Sequence, residues 1–286
     1  MIHHITNIVS LVTNNNIIKN NLMINIENYL GNSVQLKSQV TYIFNGHIHT
    51  EPEISQKVEE ISRIKNLPSL TFKTKLKSIF MKSNKITKYK KDLITLYEEK
   101  IDKNNIQHMN MLYDIWLRFN RYDRNIMPID KKWSKYIKNN IFSFIIANIG
   151  FQGNDPLRDF RGSGLLGLRH LWYFSLNDSR AERVFQVATG ERTWYYYAAG
   201  GINISGLVIR FIEGKDCDNF FYENNNQIDL YNFSQCLYNE FFVGFNDMWI
   251  QKGHFDIMRF NSTLEEFMEY RAKLIFQRII QMKKVF

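Results

Sequence analysis

From Ile106 onward the apolar residues recur every three to four positions. Met109, Leu112, Tyr113, Trp116 and Leu117 form one such series and predict an amphipathic helix. A second helix is expected from Trp133 to Ile149, stopped by Gly150. Leu165 to Leu176 is apolar on nearly all sides, which predicts a buried helix. Asn177-Asp178-Ser179 breaks that pattern. Ser179 and Glu182 have the spacing of a capping box that opens the next helix, with Gly190 at its end. Leu230 to Gln251 carries Leu237, Phe241 and Phe245 along one face. Ser262 with Glu265 repeats the capping-box spacing and predicts a last helix running toward Lys283. Lys273, Arg278, Lys283 and Lys284 fall in its later turns, where cations suit the helix dipole. Residues 1–60 are Asn-rich and hold no sustained period. With few strand-like segments after residue 100 and no internal repeat, the pattern predicts an all-α chain.

The segment from Thr193 to Ile212 needs a decision. It has no charge between Arg192 and Arg210, a run of 17 residues interrupted by Gly200, Gly201, Asn203, Ser205 and Gly206. A membrane span requires about 20 predominantly apolar residues. A buried core helix is therefore expected, with Ala198-Ala199-Gly200-Gly201 allowing a neighbouring helix to approach closely.

Composition adds limits. The chain has 286 residues, 44% of them apolar and 15% aromatic, enough for a sizeable core in one large domain or a domain with an extension. Cys217 and Cys236 stand in neither redox nor zinc spacing, which fits a reduced intracellular protein. The first residues lack a basic stretch followed by an apolar run, so no secretory signal is expected. Charge is uneven. Residues 1–147 hold 22 Lys/Arg against 12 Asp/Glu, a net +10, and the rest hold 15 against 16, a net −1, together the chain's +9. Eight lysines lie between Lys73 and Lys91 with no acid among them. Phe72, Leu76, Ile79 and Phe80 share a helical face beside Lys73 and Lys77. This segment reads either as a solvated helix or as one lying on an anionic membrane surface. No aromatic-interleaved recognition motif supports nucleic acid as a partner.

The candidate chemistry gathers between Gly150 and Phe174, GFQGNDPLRDFRGSGLLGLRHLWYF. Five of the chain's fourteen glycines, at 150, 153, 162, 164 and 167, surround the charged tract Asp155 to Arg161. Gly162-Ser163-Gly164-Leu165-Leu166-Gly167 is a literal G-x-G-x-x-G. A proline-interrupted charged loop precedes it where a dinucleotide turn requires a strand, and a capped helix occupies the place of the second strand with its acidic end, so these glycines read as loop packing. Such a loop, docked on an apolar helix, presents an arginine at a fixed place. From the residues alone Arg161 has two roles open. It is a free guanidinium offered to a partner, or it pairs inside the loop with Asp155 or Asp159. His47 and His49 alternate like a metal pair, yet no third ligand stands nearby, so no metal is expected. The aromatic run Trp194 to Tyr197 and the two cysteines read as packing.

The same stretch resembles the signature of the ELMO-domain family, roughly W-x-x-I-G-F-Q-G-x-D-P-x-T-D-F-R-G-x-G-x-L-x-L-x-x-L-x-Y-F. Ile149, Gly150, Phe151, Gln152, Gly153, Asp155, Pro156, Asp159, Phe160, Arg161, Gly162, Gly164, Leu166, Leu168, Leu171, Tyr173 and Phe174 occupy matching places. Weaker similarity continues through Gly201 to Ile204 and from Phe233 to Met268. Two positions depart: Ile146 stands at the motif's Trp, and Arg158 at its Thr, a second cation three residues before Arg161.

The resemblance implies an all-α ELMO domain over residues 101–286, after a basic region, residues 1–100, that is partly helical or loosely ordered. Short, stand-alone members act as GTPase-activating proteins for Arf and Arf-like small GTPases, and the arginine of their Asp-Phe-Arg-Gly is the proposed catalytic residue. By resemblance that residue is Arg161, with Gln152, Asp155, Arg158, Asp159, Gly162 and Gly164 as loop support or GTPase contacts. The activator itself would hold no cofactor or metal, since the GTP and magnesium belong to the GTPase. A cytoplasmic place, peripheral to membranes, follows the same reading. The alternative is a scaffold. Larger ELMO proteins act with DOCK-type exchange factors in Rac signalling, but they carry an armadillo-like region and a PH domain, for which 286 residues are expected to leave no room.

Overall fold

The computed structural model describes residues 47–64, 70–119, 149–152, 155–214, 217, 220, 229–253 and 256–281. Every regular element among them is helical, as the hydrophobic pattern predicts. In chain order these are α1 (Glu51–Ile64), α2 (Leu70–Glu98), α3 (Ile106–Phe119), α4 (Pro156–Asp159), α5 (Gly164–Asn177), α6 (Ala181–Ala188), α7 (Tyr197–Glu213), α8 (Leu230–Lys252), α9 (Phe260–Tyr270) and α10 (Ala272–Gln281). Two 3-10 turns, Phe160–Gly162 and Ile257–Arg259, precede α5 and α9. The helix expected from Trp133 to Ile149 falls almost wholly outside the described residues, as do Ile146, Lys283, Lys284 and the side chains of Phe72 and Ile79.

The chain divides into two compact units, residues 1–92 with 213–228, and residues 93–212 with 229–286. In the first, Thr50 and Glu53 form a capping box at the start of α1. Glu53 Oε2 accepts from the Thr50 backbone N–H at 2.6 Å, and Thr50 Oγ1 accepts from the Glu53 N–H at 3.5 Å. The side chain of Asn84 grips the main chain of His49, accepting from its N–H at 2.6 Å and donating to its carbonyl at 2.7 Å. Ile54, Val58 and Ile61 of α1 are buried, and so are Phe80 and Ile86 of α2. Of the lysine run, Lys73 pairs with Glu59 and Lys77 with Glu51.

The second unit is built around α5 and α8. Helix α3 packs along α5, while α8 touches α5, α6, α9 and α10. The core is largely aromatic: Phe174, Tyr197, Phe233, Tyr238, Phe241, Phe242, Phe245 and Phe267 are fully buried. Small residues permit the crossings. A β-carbon at Gly201 would stand 2.5 Å from Tyr238 Oη and 2.8 Å from Leu171, so the expected close approach at this position is real. Helix α7 is buried along nearly its whole length, and no described helix is long and apolar enough to cross a membrane.

Two expected caps are not formed. At α6 the N-cap position is Arg180, with no side-chain cap, and the turn before it is closed by Asp178, not Ser179. Asp178 Oδ1 accepts from the Arg180 N–H at 2.9 Å, and the Arg180 guanidinium closes on both carboxylate oxygens. Glu182, the other half of the expected box, instead binds Arg118 at 2.8 Å. At α9 the helix starts two residues before Ser262. Asp256 caps the preceding turn by accepting from the Met258 N–H, and the Ser262 hydroxyl donates back to the Arg259 carbonyl. The single last helix is in fact two, α9 and α10, divided at Arg271. Phe267 of α9 packs edge-on against Phe241 of α8, and Phe276 of α10 against Phe211 and Phe233.

Candidate functional site

The charged loop is held at both ends. On entry, Gly150 adopts φ 81° and lies against the start of α7. A β-carbon there would come within 2.9 Å of the Tyr196 backbone. The carbonyls of Ile149 and Gly150 accept from the N–H groups of Ala198 and Ala199 at 3.0 and 3.1 Å, satisfying donors that a helix start leaves open. On exit, Gly164 adopts φ 51° and packs on the end of α2, where a β-carbon would fall 2.6 Å from the Glu99 carbonyl oxygen. That carbonyl also accepts from the Leu165 N–H at 2.9 Å.

Between these anchors the loop braces itself. Phe151 and Phe160 are buried and pack on each other, ring centroids 5.8 Å apart. Asp155 is the N-cap of α4, accepting from the Leu157 N–H at 3.1 Å, and Pro156 follows at the first helical position. Asp159 Oδ2 accepts from the backbone N–H of Gln152 at 2.6 Å, closing the loop on itself. Burial raises the Asp159 carboxyl above its usual range, opposed by that hydrogen bond and by the charge of Arg161.

The two cations differ. Arg158 pairs with Asp155, Nε to Oδ2 at 3.6 Å, a contact exposed on both sides. Arg161 is exposed and makes no hydrogen bond or ion pair with any described residue. The internal pairing that the sequence left open for it is not made. Gln152 is exposed as well, and Gly153 lies outside the described residues. Gly162 has an ordinary φ, and a β-carbon there would meet nothing within 4 Å. Its lack of a side chain therefore answers to no contact among the described residues.

The periodicity did not point to the residues that carry the loop from behind. Ser163 is buried under α5, its side chain filling the space a β-carbon at Gly167 would need (2.6 Å from Ser163 Cβ). Of the aromatic run, Tyr195 and Tyr197 are buried, while Trp194 and Tyr196 are exposed and meet edge to face at 5.7 Å. Behind the loop, His170 of α5 is wholly buried between two hydroxyls, Ser205 on Nδ1 and Ser234 on Nε2, both at 3.2 Å. Burial alone drives its pKa down to about 3. Each hydroxyl also reaches a helix carbonyl, Ser234 donating to Tyr231 at 2.8 Å and Ser205 to Gly201 at 3.4 Å. Cys236 is half-buried and burial pushes its thiol up to about 11, so it is an inert packing group. No group of metal-ligating side chains occurs among the described residues.

Fold and site together define an all-helical domain whose distinctive surface is a braced arginine loop. The family model described as ELMO/CED-12 family matches residues 91–264, and the chain belongs to that family. It is 31% identical to ELMO domain-containing protein B of Dictyostelium discoideum over 58% of this chain and 53% of that protein. It is 27% identical to ELMO domain-containing protein 2 of Bos taurus over 77% of this chain and 72% of that one. With ELMO domain-containing protein 1 of Bos taurus the identity is 29%, over 62% and 56% of the two chains. The chain thus spans about half the length of the Dictyostelium relative. No solved structure matches it.

Proposed function

We propose that this chain is a GTPase-activating protein for small GTPases of the Arf and Arf-like class, and that Arg161 is its arginine finger. The observation that carries the reading is the uncommitted guanidinium of Arg161 on a loop fixed at Gly150, Asp159 and Gly164. Transfer of a γ-phosphoryl group to water spreads negative charge over the phosphoryl oxygens. A guanidinium delivered from outside meets that charge with a planar fork of donors. A fixed base matters because a side chain already in place spends little of its interaction on being ordered. Gly162 leaves the surface beside Arg161 flat, which suits close approach of a partner's backbone. The GTP and magnesium would be the partner's.

Single-turnover GTP hydrolysis by a panel of Arf and Arf-like GTPases, with wild-type chain and with Arg161→Ala, tests the reading. Acceleration by the wild type and its loss in the variant support it. Binding to a DOCK-type exchange factor with no effect on hydrolysis anywhere in the panel would favour a scaffold instead.

A further inference from the structure

Four polar side chains of the loop are exposed or nearly so, and they divide into two kinds. Asp155 caps α4 and forms an exposed ion pair with Arg158 at 3.6 Å. Gln152 and Arg161 are uncommitted: neither side chain bonds to any described residue. The main-chain segments that carry these two groups are also close together. Each of the two residues directly follows a buried phenylalanine, Phe151 and Phe160, and those two rings pack together at 5.8 Å. Both relate to a single carboxyl as well. Asp159 Oδ2 holds the Gln152 N–H at 2.6 Å, and the Arg161 charge acts on the same group. An exposed cation and an exposed neutral carboxamide therefore stand on main-chain segments that Asp159 ties together.

A carboxamide is suited to a task that a cation cannot perform. Its oxygen accepts a hydrogen bond from a water molecule while its N–H₂ donates to a phosphoryl oxygen, so it aligns an attacking water without adding negative charge beside the phosphate. Ras-like GTPases use a glutamine of their own for this purpose. We propose that Gln152 is a second group this chain contributes to the partner's nucleotide site, where its carboxamide orients the attacking water while Arg161 stabilises the charge. The inference rests on the activating role of Arg161. The water oxygen bonds to the γ-phosphorus as the bridge to the β-phosphate breaks. GTP and water give GDP, inorganic phosphate and a proton, and Gln152 is unchanged.

The test uses the full chain with a GTPase it accelerates and the same GTPase with its own water-orienting glutamine replaced by leucine. If Gln152 supplies the carboxamide, the wild-type chain still accelerates the substituted GTPase, and Gln152→Ala lowers that acceleration on the order of 10²-fold, the scale of a misplaced reacting group. Because the Gln152 side chain is exposed and carries no internal contact, the variant should melt with the wild type, and a thermal scan checks this. The proposal is overturned if the substituted GTPase shows no acceleration while the unsubstituted one retains its Arg161-dependent response. It is equally overturned if Gln152→Ala matches wild type on the substituted GTPase. Failure of the activating reading looks different, with no Arg161-dependent acceleration of the unsubstituted GTPase.

Discussion

At Gly164 two demands coincide, a left-handed backbone and contact with the Tyr97 and Glu99 carbonyls. A side chain there costs about 1–2 kcal/mol in backbone strain and about 1–3 kcal/mol in overpacking. Gly164→Ala should therefore lose roughly 3 kcal/mol in urea unfolding. Gly162→Ala, with open space and ordinary φ, should stay within about 0.5 kcal/mol of wild type while impairing any partner that docks closely. In the sequence both glycines look alike, as members of one G-x-G-x-x-G; only the path of α2 behind the loop separates them. Asp159 acts through others, as a positioning residue. Asp159→Ala frees the Gln152 backbone, and should lower the maximal rate of accelerated hydrolysis about 10²-fold with little change in apparent affinity for the GTPase. Asp159→Asn keeps an acceptor for that N–H and should restore most of the rate. Equal losses in both variants would show that the brace is not what matters.

At the scale of the element, His170 makes the junction of α5, α7 and α8 pH-sensitive. Its folded pKa of about 3 lies below the ordinary 6.5. Between those values the unfolded chain binds a proton that the folded chain refuses. The stabilising contribution is thus complete above about pH 6.5 and declines as pH falls toward 3, by up to about 1.4 kcal/mol per pH unit. Relative to His170→Gln, the wild type should lose stability more steeply between pH 6.5 and 4.5, as followed by denaturant midpoints. Parallel slopes would refute the role of His170. Helices with a marked apolar period, such as α3, were legible because the apolar stripe is itself the packing surface. Caps were not. Ser179-Glu182 has the right spacing, but Arg180 offers Asp178 three donors at once, and Glu182 is drawn to Arg118, 64 residues away. Likewise the lysine run reads as unrelieved charge until α1 brings Glu51 and Glu59 beside it, partners 26 and 14 residues distant.

Across the whole molecule, a largely aromatic core and a docked loop leave Arg161 at the surface, without a partner among the described residues. The all-helical class and the location of the loop were legible because both follow from local pattern. That Arg158, and not Arg161, takes up the carboxylate of Asp155 was not, since either cation is within a few residues of the same acids. The measurement that bears most directly on the account is single-turnover GTP hydrolysis by the Arf and Arf-like panel with wild type, Arg161→Ala and Arg158→Ala. The account predicts acceleration of at least one GTPase by wild type and by Arg158→Ala, and a loss of about 10³-fold or more, some 4 kcal/mol, in Arg161→Ala. Full acceleration by a folded Arg161→Ala protein would contradict it.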